Sequence, residues 1–468
     1  MALSTEVLVI GGGPGGYVAA LKLGKLGKKT LLVEKDRLGG VCLNSGCIPS
    51  KAMLHLAGQL HKARKSKAQG VEAPDLRLNL PMAMTWKDAM VQGLSRGIAT
   101  LAKGNAVTTL AGAARLTGAH EAEVATPEGP QTVSFEQAVI AAGSRPLALP
   151  GFDFDGVRVL SSTDALALRE VPPRLLIIGG GIIGLELGTI FAKLGSAVTI
   201  VEFLPEVLTG IEPDLVAPVL RNLKRLGVEV MVSSRAKKFA TEGDGLAVTV
   251  ETPAGEKTVA ADKILLSVGR SVASKELGLE AAGIACDSKG HILVNERYQT
   301  KAPNIYAVGD VIGPPYLAHK ASREAVLAAL HIAGRPAEAR GAIPSAIFTD
   351  PEIASVGETA AQAMARGAEV LVGRFPFMAL GRAQAMRETD GFVRIVADKN
   401  SRKILGGAIV GPEASDLIGE LCLAVKVGAT VEDLGSTVHP HPSLGEAIAE
   451  AAEACLGQAL HILTPGRT

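Results

Sequence analysis

The sequence predicts an α/β protein with two Rossmann-like dinucleotide-binding domains and a C-terminal α+β domain. Three observations predict it. A glycine fingerprint follows a short apolar run near the N-terminus. The same fingerprint returns at Gly179. From about residue 344 the fingerprints stop, and strand-like runs alternate with helices.

Bulk composition narrows the function classes. A chain of 468 residues can hold several domains, each with its own core. Apolar residues make up 47% and the net charge is only +1, so nothing electrostatic argues for nucleic acid or an anionic membrane. The 54 glycines cluster in turns without a period, which excludes collagen-like and low-complexity readings. Five cysteines in so long a chain do not make a secreted disulfide scaffold. Met1–Glu6 lacks the basic region of a signal peptide. The apolar run Leu175–Leu187 is interrupted by glycines and Glu186, which suits a buried strand and helix better than a membrane span. The cytoplasm is the expected compartment.

The first fingerprint is Gly11, Gly13 and Gly16, placed after the apolar strand Glu6–Ile10 and before a helical pattern. A second strand, Thr30–Val33, ends at Glu34. The first glycine makes the turn, the second admits a pyrophosphate, and the third lets helix pack on strand. The acid is placed for a ribose hydroxyl. Gly179, Gly181, Gly184 and Glu202 repeat the pattern, and both copies run 23 residues from first glycine to acid. Two matched fingerprints imply two dinucleotides. Glu202 would repel a 2′-phosphate, and no basic residue lies between it and Arg221, so the second site favours NAD over NADP.

Between the fingerprints lies Gly39–Lys51, with Cys42 and Cys47 separated by four residues. It reads as a tight loop entering a helix that runs to about Lys67. Cys47 falls in the first turn, where backbone N–H groups favour a thiolate, and Lys51 lies one turn further on the same face. From spacing alone, a redox pair and two structural cysteines stand level. Val71–Leu80 reads as a loop, and Trp86 opens a further helix in a packing role. Residues 106–140 read as an antiparallel excursion ending in the buried run Ala138–Ala142, then Gly143.

In the C-terminal half, Gly269 ends a strand, and Asp310 ends another at Asn304–Val308. Asp310 could accept from a ligand hydroxyl or serve as an ordinary cap. Tyr316–Ala333 reads as a helix. Strands at 353–356, 369–375, 392–397 and 404–410 alternate with helices at 359–366 and 414–427. Near the end stand His439, His441 and Glu446, the histidines held by Pro440 and Pro442. Glu446 is in reach of His441, which gives a base with an orienting carboxylate, or else a structural turn histidine. No ligand cluster accompanies them, so no metal is expected. Cys286, Cys422 and Cys455 read as buried, inert thiols.

Together these stretches closely resemble the FAD-dependent pyridine nucleotide–disulfide oxidoreductases over nearly the whole chain. The strongest tokens are residues 39–51, 141–146, 179–186, 306–310, 317–321 and 439–446. Glu202, His441 and residues 317–321 point to the branch that acts on lipoyl groups of 2-oxoacid dehydrogenase complexes. The resemblance implies an FAD-binding domain (1–149 and 271–343), an NAD-binding domain (150–270) and a dimerisation domain (344–468). It implies that Gly11, Gly13, Gly16, Glu34, Ala114, Gly143, Asp310 and Ala318 bind FAD. Lys51 would contact the flavin, paired with Glu186. Gly179, Gly181, Gly184, Glu202 and Gly269 would bind NAD. Cys42 would be the interchange thiol, Cys47 the thiol beside the flavin, and His441, oriented by Glu446, a base lent across a homodimer. The implied partners are lipoyl domains and the E2 component of such a complex. Two departures stand out: His-Pro-His-Pro-Ser replaces the usual His-Ala-His-Pro-Thr, and Gly445 stands where serine is usual.

Overall fold

The structure, a computed structural model, describes residues 3–72, 75–338 and 341–463. Ala73–Pro74, within the predicted loop, and the tail 464–468 lie outside the described residues. The chain forms two compact units. The first holds Met1–Pro173, Lys238–Leu246 and Ala261–Arg340; the second holds Arg174–Lys237, Ala247–Ala260 and Gly341–Thr468. No described helix is long and apolar enough to cross a membrane.

The first unit is built on a twisted sheet whose parallel core strands are Val107–Ala111, Thr30–Glu34, Leu3–Ile10, Gly129–Ile140 and Ile305–Ala307, in that spatial order. Register is tight: Val7 faces Thr30 and Gln137, and Ile305 faces Ala138. The period-2 alternation of a strand sends Val7 and Val9 to one face, Leu8 and Ile10 to the other. Val7 and Val9 pack with Ala19, Ala20 and Leu23 of the helix Pro14–Lys25 and with Ala325 and Ala328 of the helix Ala318–Ile332. Leu8 and Ile10 pack with Leu116, Val124 and Phe135, so both faces of the strand are dry. That is why Val7–Ile10 reads as a continuous apolar run. The antiparallel excursion predicted over 106–140 is shorter: Val107–Ala111 joins the parallel sheet beside Thr30–Glu34, and the antiparallel part is Ala113–Leu116 with Glu121–Thr126 and then Gly129–Ile140.

Two expectations are corrected here. The helix assigned to start at Trp86 starts at Leu80 and runs to Gly104. Asn79 caps it, its side chain accepting from the Met82 N–H at 3.1 Å, and Pro81 sits in the first turn, where a missing N–H costs nothing. Trp86 itself is half exposed rather than packed inside.

The second unit opens with Arg174–Ile178, Ala197–Val201 and Glu229–Met231, three parallel strands, with the fingerprint helix Ile182–Leu194 between the first two. Its C-terminal part is an antiparallel sheet ordered Ser345–Ile347, Glu352–Gly357, Ile404–Gly411, Phe392–Asp398 and Val370–Pro376. The helices Ala414–Val427 and Glu446–Cys455 bury Ile418, Leu421, Ile448 and Ala451 with Phe375, Ile395 and Ile409 of this sheet. Each fully buried large aliphatic side chain contributes about 1.5–3 kcal/mol relative to exposure. The predicted strands and helices of this region all occur, with ends shifted by a residue or two.

Candidate active site

The two fingerprints fold alike. Gly11 has φ +101° and Gly179 φ +109°, a region open to glycine. A Cβ at Gly11 would stand 2.4 Å from the Ala141 carbonyl oxygen. Gly13 and Gly181 both precede their helices in extended backbone, and no side chain caps either helix. A Cβ at Gly13 would meet nothing nearer than 3.9 Å, and one at Gly181 nothing within 4 Å. Uncapped N–H groups beside open space fit a pyrophosphate. The donor set therefore suits a dinucleotide at each fingerprint.

The acids hold their turns as well. Glu34 accepts from the N–H of Gly12 (2.5 Å) and of Asp36 (2.8 Å). Glu202 accepts from the N–H of Gly180 (2.6 Å) and of Leu204 (2.7 Å). The residue between the first two glycines was not singled out from sequence, yet it matters in both copies. A Cβ at Gly12 would press on the Glu34 Cβ at 3.1 Å, and one at Gly180 on the Glu202 Cβ at 3.1 Å. Ala114 lies two residues beyond Gly112, whose N–H donates to the Glu34 carbonyl at 2.9 Å. Gly143 has φ +72° and follows Ala141, bonded to Ile10. Gly269 belongs to the first unit, Gly179, Gly181 and Gly184 to the second.

Cys42 and Cys47 lie where the loop was expected, with a refinement. Cys42 sits in its own short helix, Gly40–Ser45, and Cys47 is the first residue of the helix Cys47–Lys65. Gly39 and Gly40, with φ +101° and +58°, make the sharp entry that a side chain would oppose. The two sulfurs lie within hydrogen-bond reach of one another. The Cys47 sulfur first, and burial second, push the Cys42 thiol far up, against the pull of the Lys51 charge. Cys42 is therefore held protonated, and Cys47 stands at the helix N-terminus, where backbone N–H groups favour a thiolate. Asn44, between the two, has its Oδ1 buried without a hydrogen-bond partner, while its Nδ2 donates to the Gly40 carbonyl at 2.9 Å.

Asp310 is in a one-turn helix, Gly309–Ile312, and accepts from the Ser144 hydroxyl. Arg270 Nε donates to the same Ser144 oxygen at 2.7 Å, and its Nη2 to the Ser144 carbonyl at 2.8 Å. Ser144 falls inside the stretch 141–146 that carries the resemblance and Arg270 directly follows Gly269, but only the fold shows that they meet. Beneath them lies a buried ion pair that was not anticipated. Lys320 and Glu324 are 2% and 0% exposed and 3.4 Å apart. Glu324 accepts from the Gly309 N–H at 2.9 Å, and Lys320 donates to the Gly313 carbonyl at 2.9 Å. One pair thus grips both ends of the turn that carries Asp310. Its i,i+4 spacing on the helix lets the two side chains meet. Ala318 is the first residue of the same helix, where an N–H has no partner within the helix.

In the second unit, His441 Nδ1 lies 2.8 Å from Glu446 Oε1, and the Ser443 N–H donates to Glu446 Oε2 at 2.7 Å. Burial alone would raise the Glu446 carboxyl, but the Ser443 N–H and the His441 ring together hold it below its usual range. An ionised Glu446 accepts from a proton on Nδ1, which leaves His441 Nε2 with its lone pair. The His441 side chain is 80% exposed. Glu186 is buried in this unit, accepting from the Phe348 N–H at 2.9 Å, while Lys51 is in the other unit. Of the remaining thiols, Cys455 is buried and Cys422 half-buried, but Cys286 is exposed, contrary to expectation. It precedes the turn Asp287–His291 and forms an isolated antiparallel bridge with Ile292.

With this geometry in hand, the class is defined: the chain belongs to the pyridine nucleotide-disulphide oxidoreductase family, which matches residues 5–325, and residues 343–452 match that family's dimerisation domain. Among characterised relatives, the chain is 46% identical over 464 residues to the dihydrolipoyl dehydrogenase of Geobacillus stearothermophilus, covering 99% of this chain and 98% of that protein. It is 46% identical over 469 residues to the enzyme of the same name from Haloferax volcanii, with the same coverage. Among solved structures, LpdA of Mycobacterium tuberculosis matches with a TM-score of 0.90 at 28% identity, over 96% of this chain and 99% of that one. The flavoprotein disulfide reductase RclA of Escherichia coli matches with a TM-score of 0.85 at 26% identity, over 96% and 99% of the two chains.

Proposed function

We propose that this protein is a homodimeric dihydrolipoyl dehydrogenase: it oxidises a protein-bound dihydrolipoyl group to the cyclic disulfide and reduces NAD+ to NADH. The observation that carries the reading is the close pair of sulfurs, with Cys47 first in the helix Cys47–Lys65 and the Lys51 charge acting on Cys42. Bound FAD supplies a two-electron acceptor for that dithiol and a hydride donor to NAD+. Gly11, Gly13, Gly16, Glu34, Ala114, Gly143, Asp310 and Ala318 hold it, with Lys51 paired to Glu186. Gly179, Gly181, Gly184, Glu202 and Gly269 hold NAD. Residues 1–149 and 271–343 form the FAD-binding domain, 150–270 the NAD-binding domain and 344–468 the dimerisation domain.

The residues divide the work as follows. His441 Nε2, from the partner subunit, takes a proton from one substrate thiol, and Glu446 stabilises the imidazolium through Nδ1. The substrate thiolate attacks the Cys42 sulfur of the oxidised pair. The Cys42–Cys47 bond breaks, and its electrons leave on Cys47, stabilised by the helix N-terminus and Lys51. The second substrate thiol attacks the substrate sulfur of the mixed disulfide, and its proton passes to the departing Cys42 sulfur. That releases the cyclic disulfide and leaves Cys42 reduced, so two electrons have passed from substrate to protein. The exposed position of His441 supports a base that works on a neighbouring copy. Lipoyl domains and the E2 component of a 2-oxoacid dehydrogenase complex are the corresponding partners. The cytoplasm, where thiols stay reduced, is the corresponding compartment.

The test is an anaerobic titration of the purified holoprotein. Dihydrolipoamide reduces the flavin absorbance and NAD+ restores it. Glutathione and NADP+ do neither. Reduction by glutathione in place of dihydrolipoamide would reassign the substrate.

A further inference from the structure

The base His441 stands on a connection with no helix or strand, residues 437–445, between the helices Val431–Gly435 and Glu446–Cys455. Its ring is mostly in solvent, so packing does not orient it. Glu446 fixes one atom of the ring, but the connection itself must also be held. One side chain ties it to a separate helix. His439 Nε2 lies 3.0 and 3.2 Å from the two carboxylate oxygens of Glu420, on the helix Ala414–Val427. His439 Nδ1 lies 2.9 Å from the Thr437 carbonyl. Both ring nitrogens thus face acceptor oxygens, and the side chain is only 10% exposed. Unlike His441, it is braced on every polar atom.

Gly445 belongs to the same arrangement. A Cβ there would stand 3.0 Å from His439 Cδ2, so the ring would have to give by a few tenths of an ångström, and 3.8 Å from the Ser443 hydroxyl. The Gly445 backbone is ordinary helical, φ −61°, so the glycine is not needed for conformation. What it leaves is space for the His439 ring. Ser443, whose N–H donates to Glu446, has its hydroxyl buried without a hydrogen-bond partner. His439, Gly445, Ser443 and Glu446 therefore form one small cluster around the turn that presents His441.

We infer that His439, anchored by Glu420 and accommodated by Gly445, is a positioning residue that sets where the His441 base stands. The inference rests on the proposed reading of His441 as the base. It assigns no proton transfer to His439 or Glu420. Their effect is on the alignment of Nε2 with the substrate thiol, where a displacement of about 1 Å can cost on the order of 100-fold in rate.

The experiment compares two activities of the purified holoprotein. Oxidation of dihydrolipoamide by NAD+ needs the base. Reduction of ferricyanide by NADH draws electrons from the reduced flavin and needs none. Glu420→Ala lowers kcat for dihydrolipoamide by about 10- to 100-fold with little change in KM, and leaves ferricyanide reduction unchanged. Glu420→Gln, which keeps an acceptor oxygen, recovers part of the loss. Gly445→Ser gives a smaller loss of the same selective kind. In a His441→Gln background, Glu420→Ala adds nothing, because both act through one group. The inference is overturned if Glu420→Ala slows both activities alike, if it slows neither, or if it slows the His441→Gln protein further. An unsubstituted protein that reduces ferricyanide but ignores dihydrolipoamide would overturn the functional reading itself, a result distinguishable from any behaviour of the Glu420 variants.

Discussion

The five cysteines show how environment divides one chemistry into different roles. Cys42 and Cys47 lie together at a helix start within reach of the Lys51 charge, and in the proposed reaction one sulfur is the point of attack and the other the leaving group. Cys455 is the opposite case. It lies in the C-terminal core, and burial pushes its thiol up to about 12. Its folded value is raised, so it carries no pH dependence below the ordinary thiol value of about 8.5. Above that, the unfolded chain gives up the proton and the folded chain keeps it. Stability is then lost, by at most about 1.4 kcal/mol per pH unit, as pH rises toward 12. Denaturation measured at pH 8 and pH 10 is expected to show this loss in the protein and a shallower one in Cys455→Val. Equal slopes would show that Cys455 ionises in place.

At the scale of elements, much was legible and the omissions share a cause. The fingerprints, the helix from Cys47 and the strands of the C-terminal sheet could be read because each is a local pattern: a glycine spacing, a 3.6-residue period, an alternation. The helix 414–427 was placed to the residue. What could not be read are the contacts that brace the functional turns. Ser144 and Arg270 are far apart in sequence but meet at Asp310. Glu420 meets His439 from another helix. Lys320 and Glu324 are spaced i,i+4 on one helix, and only tertiary packing shows the pair dry. Breaking a buried pair leaves an uncompensated charge and typically costs about 3–5 kcal/mol. Lys320→Met is therefore expected to lower stability by that amount and to weaken FAD retention, because the Asp310 turn loses its grip at Gly313. Chemical denaturation and the fluorescence of released flavin check the two effects. A destabilised protein with unaltered flavin affinity would mean that the pair holds the fold and not the turn.

The whole molecule is organised around a division of labour along the chain. The thiol pair and first fingerprint lie in one compact unit, and the second fingerprint and the His441–Glu446 pair lie in the other. The proposed dimer supplies the base from a second copy. Co-expression of His441→Gln with Cys47→Ser tests this. Each homodimer is inactive with dihydrolipoamide. In the mixed dimer, one site combines an intact thiol pair with an intact base, so activity returns. If the base served its own subunit, every site in the mixed dimer would carry one lesion and activity would stay absent.

The central claim is that electrons pass from a dithiol through Cys42 and Cys47 before reaching the nucleotide. Steady-state oxidation of dihydrolipoamide by NAD+ in Cys47→Ser tests it most directly. Turnover is expected to be abolished while the protein stays yellow and still reduces ferricyanide with NADH. Turnover of dihydrolipoamide at the unsubstituted rate would contradict it.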